Sequence, residues 1–371
     1  MNIQKVMTIL VYSDSEIIDK EWLPTIQFPE PIEICHDFVE YARRDDATKI
    51  AFTTYRLHCD HDLNCPAYVG FEDKIVKLSE TSKLVFTFES ELHHYHWEMW
   101  EKCHRDNVYW VVPGQVNDDV DMNNHIIYWG DWFKTTANLY KQLPQVTEQY
   151  TPYANKPRFF DALLGSPKPH RDFVSEHVKS NGLEDKFIMT YGGQWDDNSF
   201  YAKDYFIYEP NTEIIEKDAP GTCGYVKYHD ILTHLSQVIP MSVFNDTAYS
   251  IVAETDFDNT LSFYSEKTAK PIIYKRLFVA FTGYKFLHNL RSFGFRTFDG
   301  IIDESYDLIE DDTQRLQAAF EQVKYLCNTP QEAIHPLIAD ILEHNYRVMM
   351  DTDWTRYASS RIGNVINGLQ S

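Results

Sequence analysis

Short apolar runs separated by amphipathic stretches set the pattern of this chain. Val6–Tyr12, Lys49–Thr53, Lys83–Glu89, Val108–Val112 and Ile126–Trp129 are strand-length runs rich in β-branched and aromatic residues. Between them, Asp37–Arg44, His93–His104 and Asp131–Gln142 read as helices. Buried strands alternating with helices predict a parallel α/β sheet. The pattern then breaks. Residues 143–157, LPQVTEQYTPYANKP, hold three prolines and follow neither period, which predicts a linker.

Beyond that stretch the alternation restarts with strand Arg158–Leu163, helix Pro169–Asn181 and strand Lys186–Tyr191. Strand Ala248–Glu254, helix Glu266–Lys275, strand Leu277–Phe281 and helix Tyr284–Phe293 follow, and from Asp311 onward the chain reads as helical. The expectation is an α/β protein with two Rossmann-like domains, 1–150 and 151–330, facing across a cleft. Terminal helices over 331–371 are free to pack back on the first domain. Open α/β sheets bind ligands at the carboxyl ends of their strands, so the cleft is where both substrates belong.

Composition narrows the partners. At 371 residues the chain has room for two ordinary cores. With 34 basic and 56 acidic residues it carries a net charge of −22, which disfavours nucleic acid and anionic membranes at long range. A phosphate site needs only a few local cations, so a bound nucleotide stays open. No run approaches the roughly 18 apolar residues of a membrane span. The N-terminus lacks a small-residue cleavage site, and the six cysteines are scattered without a CxxC pair. Together these predict a cytoplasmic protein with reduced thiols.

The stretch 249–298 carries the densest chemistry. Ser265 stands at a helix N-cap position, with Glu266 and Lys267 in the first turn and Lys270 one turn on. Unpaired N–H groups and partial positive charge at a helix start suit a diphosphate. Lys267 adds a full charge, and Glu266 can accept from ribose hydroxyls. Pro271 predicts a kinked or shortened helix. By itself, Ser-Glu-Lys describes an ordinary capped surface helix equally well.

The order of the surrounding pieces resembles the family-ten (α-1,3/4-) fucosyltransferases. Those pieces are Glu254-Thr255 at a strand end, an acidic loop, Ser265-Glu266-Lys267, a helix, and an apolar strand Leu277–Phe281 leading to Gly283. The resemblance implies a GT-B glycosyltransferase of a phage or bacterial type. It places Glu254, Tyr264, Ser265, Glu266, Lys267 and Lys270 on the donor side, with Glu266 at ribose and Lys267 at the phosphates. Phe263 stands where the family has Tyr, with Tyr264 beside it.

Two further segments are similar to that family. GSPKPHRDFV, after strand Arg158–Leu163, sets Arg171 in the first turns of a helix, as the family does with a phosphate-binding Arg. A planar guanidinium suits a diphosphate. Upstream, Glu89-Ser90 and His93 match an acceptor-domain segment, with Glu91 where the family has Pro. The resemblance implies Glu89 as general base and puts His93 and His96 on the acceptor side.

Other readings carry less. Asp256-Phe257-Asp258 has the Asp-x-Asp form of metal-dependent transferases, but such triplets recur at Asp119–Asp121 and Asp351–Asp353 in this acidic chain. His58-Cys59-Asp60-His61-Asp62 and Cys65 follow no standard zinc spacing. No GxGxxG follows the first strand, and no Walker A sequence or nucleophile elbow is present. The expected activity is transfer of a sugar from a nucleoside-diphosphate sugar, GDP- or UDP-linked, to a hydroxyl of a glycan or other compound. Inversion, no metal and no cofactor are expected. A non-catalytic nucleotide- or carbohydrate-binding protein is the alternative reading, and a hydroxylated base of phage-type DNA the alternative acceptor. Residues 295–307 suggest no chemical role.

Overall fold

The computed structural model describes residues 8–16, 18–45, 48–55, 71–88, 100–117, 126–128, 130–165, 167–191, 209–215 and 224–368. The chain divides into two compact units, residues 1–130 with 353–371, and residues 131–352. The fold is α/β, and each unit contains its own parallel sheet. Among the described residues no helix is long and apolar enough to cross a membrane.

The first unit is built on strands β1 (Ile9–Ser13), β2 (Ile32–Cys35), β3 (Thr48–Tyr55), β4 (Lys83–Phe88), β5 (Val108–Val112), β6 (Gly114–Val116) and β7 (Ile126–Tyr128). The sheet order is β2-β1-β3-β4-β5-β7, and every pairing is parallel. Helices α1 (Phe38–Arg43) and α2 (Phe71–Thr81) belong to this unit, as does α3, described over 100–103. Alternate residues Ile9 and Val11, and Ile50 and Phe52, face one core, as the two-residue repeat of a strand requires. Trp22, Leu23 and Ile26 join them, and so do Ala358, Ile362, Val365 and Ile366 of the terminal helix Trp354–Ile366. That helix is anchored further where Lys83 Nζ donates to the Ile366 carbonyl at 2.7 Å.

The second unit opens with α4 (Asp131–Lys141) and α5 (Pro144–Thr147). Strand β8 (Arg158–Leu163), helix α6 (Pro169–Ser180) and strand β9 (Phe187–Thr190) follow, then a small antiparallel sheet of β10 (Thr212–Ile214), β11 (Tyr225–Tyr228) and β12 (Ile231–His234). Next come α7 (Met241–Asp246), β13 (Thr247–Val252), β14 (Leu261–Phe263), α8 (Glu266–Ile273), β15 (Phe278–Ala280) and α9 (Phe286–Ser292). The long helices α10 (Asp312–Cys327) and α11 (Gln331–Asp351) complete the unit. The main sheet has the order β15-β13-β8-β9, again parallel throughout.

Two boundaries fall elsewhere than the pattern predicts. The helix after Gly130 and the proline-rich stretch 143–157 both lie inside the second unit. Aromatic anchors decide this. Phe133 meets Tyr264 and Phe295 edge-on, at centroid distances of 6.3 and 5.9 Å. Tyr140 Oη accepts from the Ile239 N–H at 2.7 Å, Leu143 and Val146 are buried, and the Tyr150 ring lies 5.3 Å from Tyr274. At the other end, α11 stays with the second unit, and the chain turns extended at Thr352 and Asp353. Asp353 then caps the terminal helix, accepting from the Arg356 N–H at 3.0 Å.

Candidate functional site

In the second unit β9 flanks β8 on one side and β13 on the other, so the strand order turns between β8 and β13. At such a switch point the connections leave in opposite directions and open a crevice at the strands' carboxyl ends. The segments leaving these strands are 164–171 and 253–258, and both carry candidate residues.

After β8 the chain turns at Gly165, whose φ of 66° lies in the left-handed region that favours glycine. Lys168 sits between two prolines. The following Pro169 denies it helical geometry, and it is extended, with φ −153° and ψ 152°. Pro169 occupies the first turn of α6, where its missing N–H costs nothing. Lys168 Nζ donates to the Thr255 carbonyl at 2.5 Å. Arg171 is 1% exposed, and its Nη2 donates to the carbonyls of Ala253 and Glu254 at 3.2 and 3.0 Å. His170 Nε2 also meets the Glu254 carbonyl, at 2.8 Å.

After β13, Glu254 is fully buried. Its carboxylate accepts from the Ser265 N–H at 2.9 Å, and from Ser265 Oγ and Thr268 Oγ1, both at 2.5 Å. Burial raises its pKa, and the nearby Lys267 ammonium opposes that rise. Glu254 therefore locks the start of α8 from within. Ser265 caps that helix, its Oγ accepting from the Lys267 N–H at 3.2 Å. Lys267 Nζ bonds Thr255 Oγ1 at 3.0 Å and Glu266 Oε1 at 2.7 Å. Burial works against the Lys267 charge, but Glu266 and then Glu254 outweigh it and hold its pKa above the ordinary value. Burial likewise works against the Glu266 carboxylate, and Lys267 with Lys270 outweighs it and lowers that pKa.

The structure thus brings Arg171, Glu254, Ser265, Glu266 and Lys267 into one neighbourhood, with Arg171 close enough to Lys267 to repel its charge. The remaining candidates are placed differently. Tyr264 is buried and donates its hydroxyl to the Phe286 carbonyl at 2.8 Å, so it packs inside the unit. Lys270 Nζ donates to the Ser236 carbonyl at 2.7 Å, which ties α8 to the segment after β12. Glu89, His93 and His96 lie outside the described residues, as does the 58–65 histidine and cysteine cluster.

Lys168 and His170 are additions that motif matching did not single out, while Thr255 and Phe257, quoted there only within Glu254-Thr255 and Asp256-Phe257-Asp258, gain contacts of their own. The signal for Lys168 was present: a lysine held extended between prolines just before a helix cannot fold back into that helix. Asp258 Oδ1 accepts from the Thr260 N–H at 2.6 Å, so this acid shapes its own loop. A Cβ at Gly283 would stand 2.1 Å from the Asp258 carbonyl oxygen, which is why glycine occupies that position. Residues 295–307 act as a brace. Glu304 accepts from the Phe298 N–H and from Arg291 Nη2, each at 2.7 Å. Asp307 accepts from the N–H groups of Leu287 and His288 at the start of α9, each at 2.8 Å.

No protein-family model matches the chain, and no curated protein matches it in sequence. Among solved structures it is similar to an α1,3-fucosyltransferase at 10% identity and a TM-score of 0.38, over 92% of this chain and 82% of that one. It is similar in the same proportions to an α1,3-fucosyltransferase with GDP-fucose, at a TM-score of 0.37.

Proposed function

We propose that the β8/β13 crevice binds the diphosphate of a nucleoside-diphosphate sugar, and that the protein is a glycosyltransferase. The observation that carries this reading is the convergence of two ammonium groups on one residue. Lys168, at the start of α6, and Lys267, at the start of α8, both end on Thr255. Two helix starts and two lysines at a switch point form a site matched to a dianion. Arg171, buried behind them, holds the 253–254 backbone in place.

In this reading Glu266 accepts from the ribose hydroxyls. The acceptor hydroxyl oxygen bonds to the anomeric carbon while the bond from that carbon to the diphosphate oxygen breaks. The hydroxyl proton passes to a carboxylate, for which Glu89, the residue after β4 in sequence, is the candidate base. The diphosphate leaves with its growing charge stabilised by Lys168 and Lys267, which is electrostatic catalysis without a metal. Direct displacement of this kind inverts the anomeric centre.

The test is a thermal-shift panel of UDP-, GDP-, ADP- and CMP-sugars on the parent and on Lys267→Ala. At least one donor should raise the parent's Tm, and the variant should lose that shift while remaining folded. Equal shifts in both would remove Lys267 from the site. Stabilisation by a donor with no sugar transfer to any acceptor would favour a binding protein instead.

A further inference from the structure

We infer that His170 is a positioning residue that sets the height of the 254–258 loop and so the placement of Thr255 between the two lysines. This inference rests on the crevice being the nucleotide site. His170 is the second residue of α6 and is completely buried. Its Nε2 faces the Glu254 carbonyl at 2.8 Å, and a carbonyl only accepts, so Nε2 carries the hydrogen. Nδ1 is then a bare acceptor, and it has no hydrogen-bond partner among the described residues. The ring lies flat on Phe257, with centroids 4.6 Å apart and planes 8° from parallel.

His170 therefore grips the loop at two points three residues apart, by a hydrogen bond at Glu254 and a ring stack at Phe257. Thr255 lies between those points. Phe257 is held in turn by Arg315, whose guanidinium is 5.3 Å from the ring centroid. Arg315 donates to the carbonyls of Thr282, Ile309 and Glu310 at 3.0, 2.7 and 3.0 Å. A continuous chain of contacts thus runs from α6 through the loop to α10. Burial, with the charges of Arg171, Lys168 and Lys267 nearby, lowers the imidazole's pKa, so the ring is neutral near pH 7. Its contribution is geometric.

The test measures the dissociation constants of GDP and UDP, at a temperature well below unfolding, for the parent, His170→Ala and His170→Phe. Loss of both grips in the alanine variant should weaken the binding nucleotide about tenfold. The phenylalanine variant keeps the stack and loses the hydrogen bond, so it should recover part of that loss. A merely structural role would lower Tm in both variants and leave the dissociation constant of the folded protein unchanged. Parental affinity in both variants overturns the inference and leaves the nucleotide reading standing. If the parent binds neither GDP nor UDP nor any other nucleoside diphosphate, both fall together.

Discussion

Lys168 and Lys267 end on the same residue: one ammonium meets the carbonyl of Thr255 at 2.5 Å and the other its hydroxyl at 3.0 Å. Two groups of like charge stay this close because Glu266, whose Oε1 bonds Lys267 Nζ at 2.7 Å, and Glu254 offset the repulsion beside the two neutral Thr255 oxygens. A dianion entering there would replace those oxygens with a better acceptor.

The two lysines should therefore act as a unit. Lys168→Met and Lys267→Met are each expected to weaken nucleoside-diphosphate binding by about 10- to 100-fold, the range for a hydrogen bond to a charged group. The double variant should fall short of the sum, since both contact one ligand group. Calorimetric titration of the three variants checks this; strict additivity would separate the lysines into independent sites.

Gly283→Ala should be one of the most disruptive small substitutions in the second unit. Its Cβ would collide with the Asp258 carbonyl oxygen, a backbone atom that cannot swing away. The expected cost is at least about 2 kcal/mol, at the upper end for overpacking. Urea unfolding reads it, and a cost near zero would show that the 254–260 loop moves freely.

The second unit also depends on a buried ion pair. Arg276 Nη2 donates to Asp161 Oδ1 at 2.6 Å, and neither side chain is more than 3% exposed. Arg276 further donates to Ser250 Oγ and to the carbonyls of Phe244, Thr247 and Tyr249. Removing one partner strands the other, so Asp161→Ala should destabilise by about 3–5 kcal/mol. Joint replacement of both residues by apolar ones should cost less than the single change. Equilibrium unfolding of the single and double variants distinguishes these outcomes.

Acid should loosen the loop through His170. Burial, with Arg171 beside the ring, lowers its pKa from 6.5 to about 3. Between those values the unfolded chain binds a proton that the folded protein refuses, so this group's contribution to stability is lost as pH falls. The slope approaches about 1.4 kcal/mol per pH unit for one proton. Glu254 has a raised pKa, and its contribution weakens in the opposite direction, as pH rises. His170→Phe removes only the first effect. Its unfolding free energy should depend less steeply on pH between 6 and 4 than the parent's, and an identical slope would mean the buried imidazole accepts a proton.

How much of this was legible beforehand depends on the range of the cause. Strand Arg158–Leu163 has its observed bounds in the pattern, and helix Pro169–Ser180 is off by a single residue, because run length, prolines and caps are local signals. The capped start of α8 at Ser265 was equally plain. The proline-rich segment 143–157 misled because its buried anchors, Leu143, Val146 and Tyr150, are too widely spaced to form a period. Glu254 and Tyr264 were legible as site neighbours, but not as groups consumed by the protein's own hydrogen bonds.

The sequence alone determined elements such as β8, α6 and the start of α8, and which charged residues sit at those helix starts, since both follow from side-chain spacing and backbone limits. Only the tertiary structure decided that β8 and β13 are neighbours, and hence that residues far apart in sequence share Thr255. It also gave the terminal helix to the first unit and α4 to the second. Those choices depend on which apolar faces fit together in three dimensions, and no local pattern of residues encodes that fit.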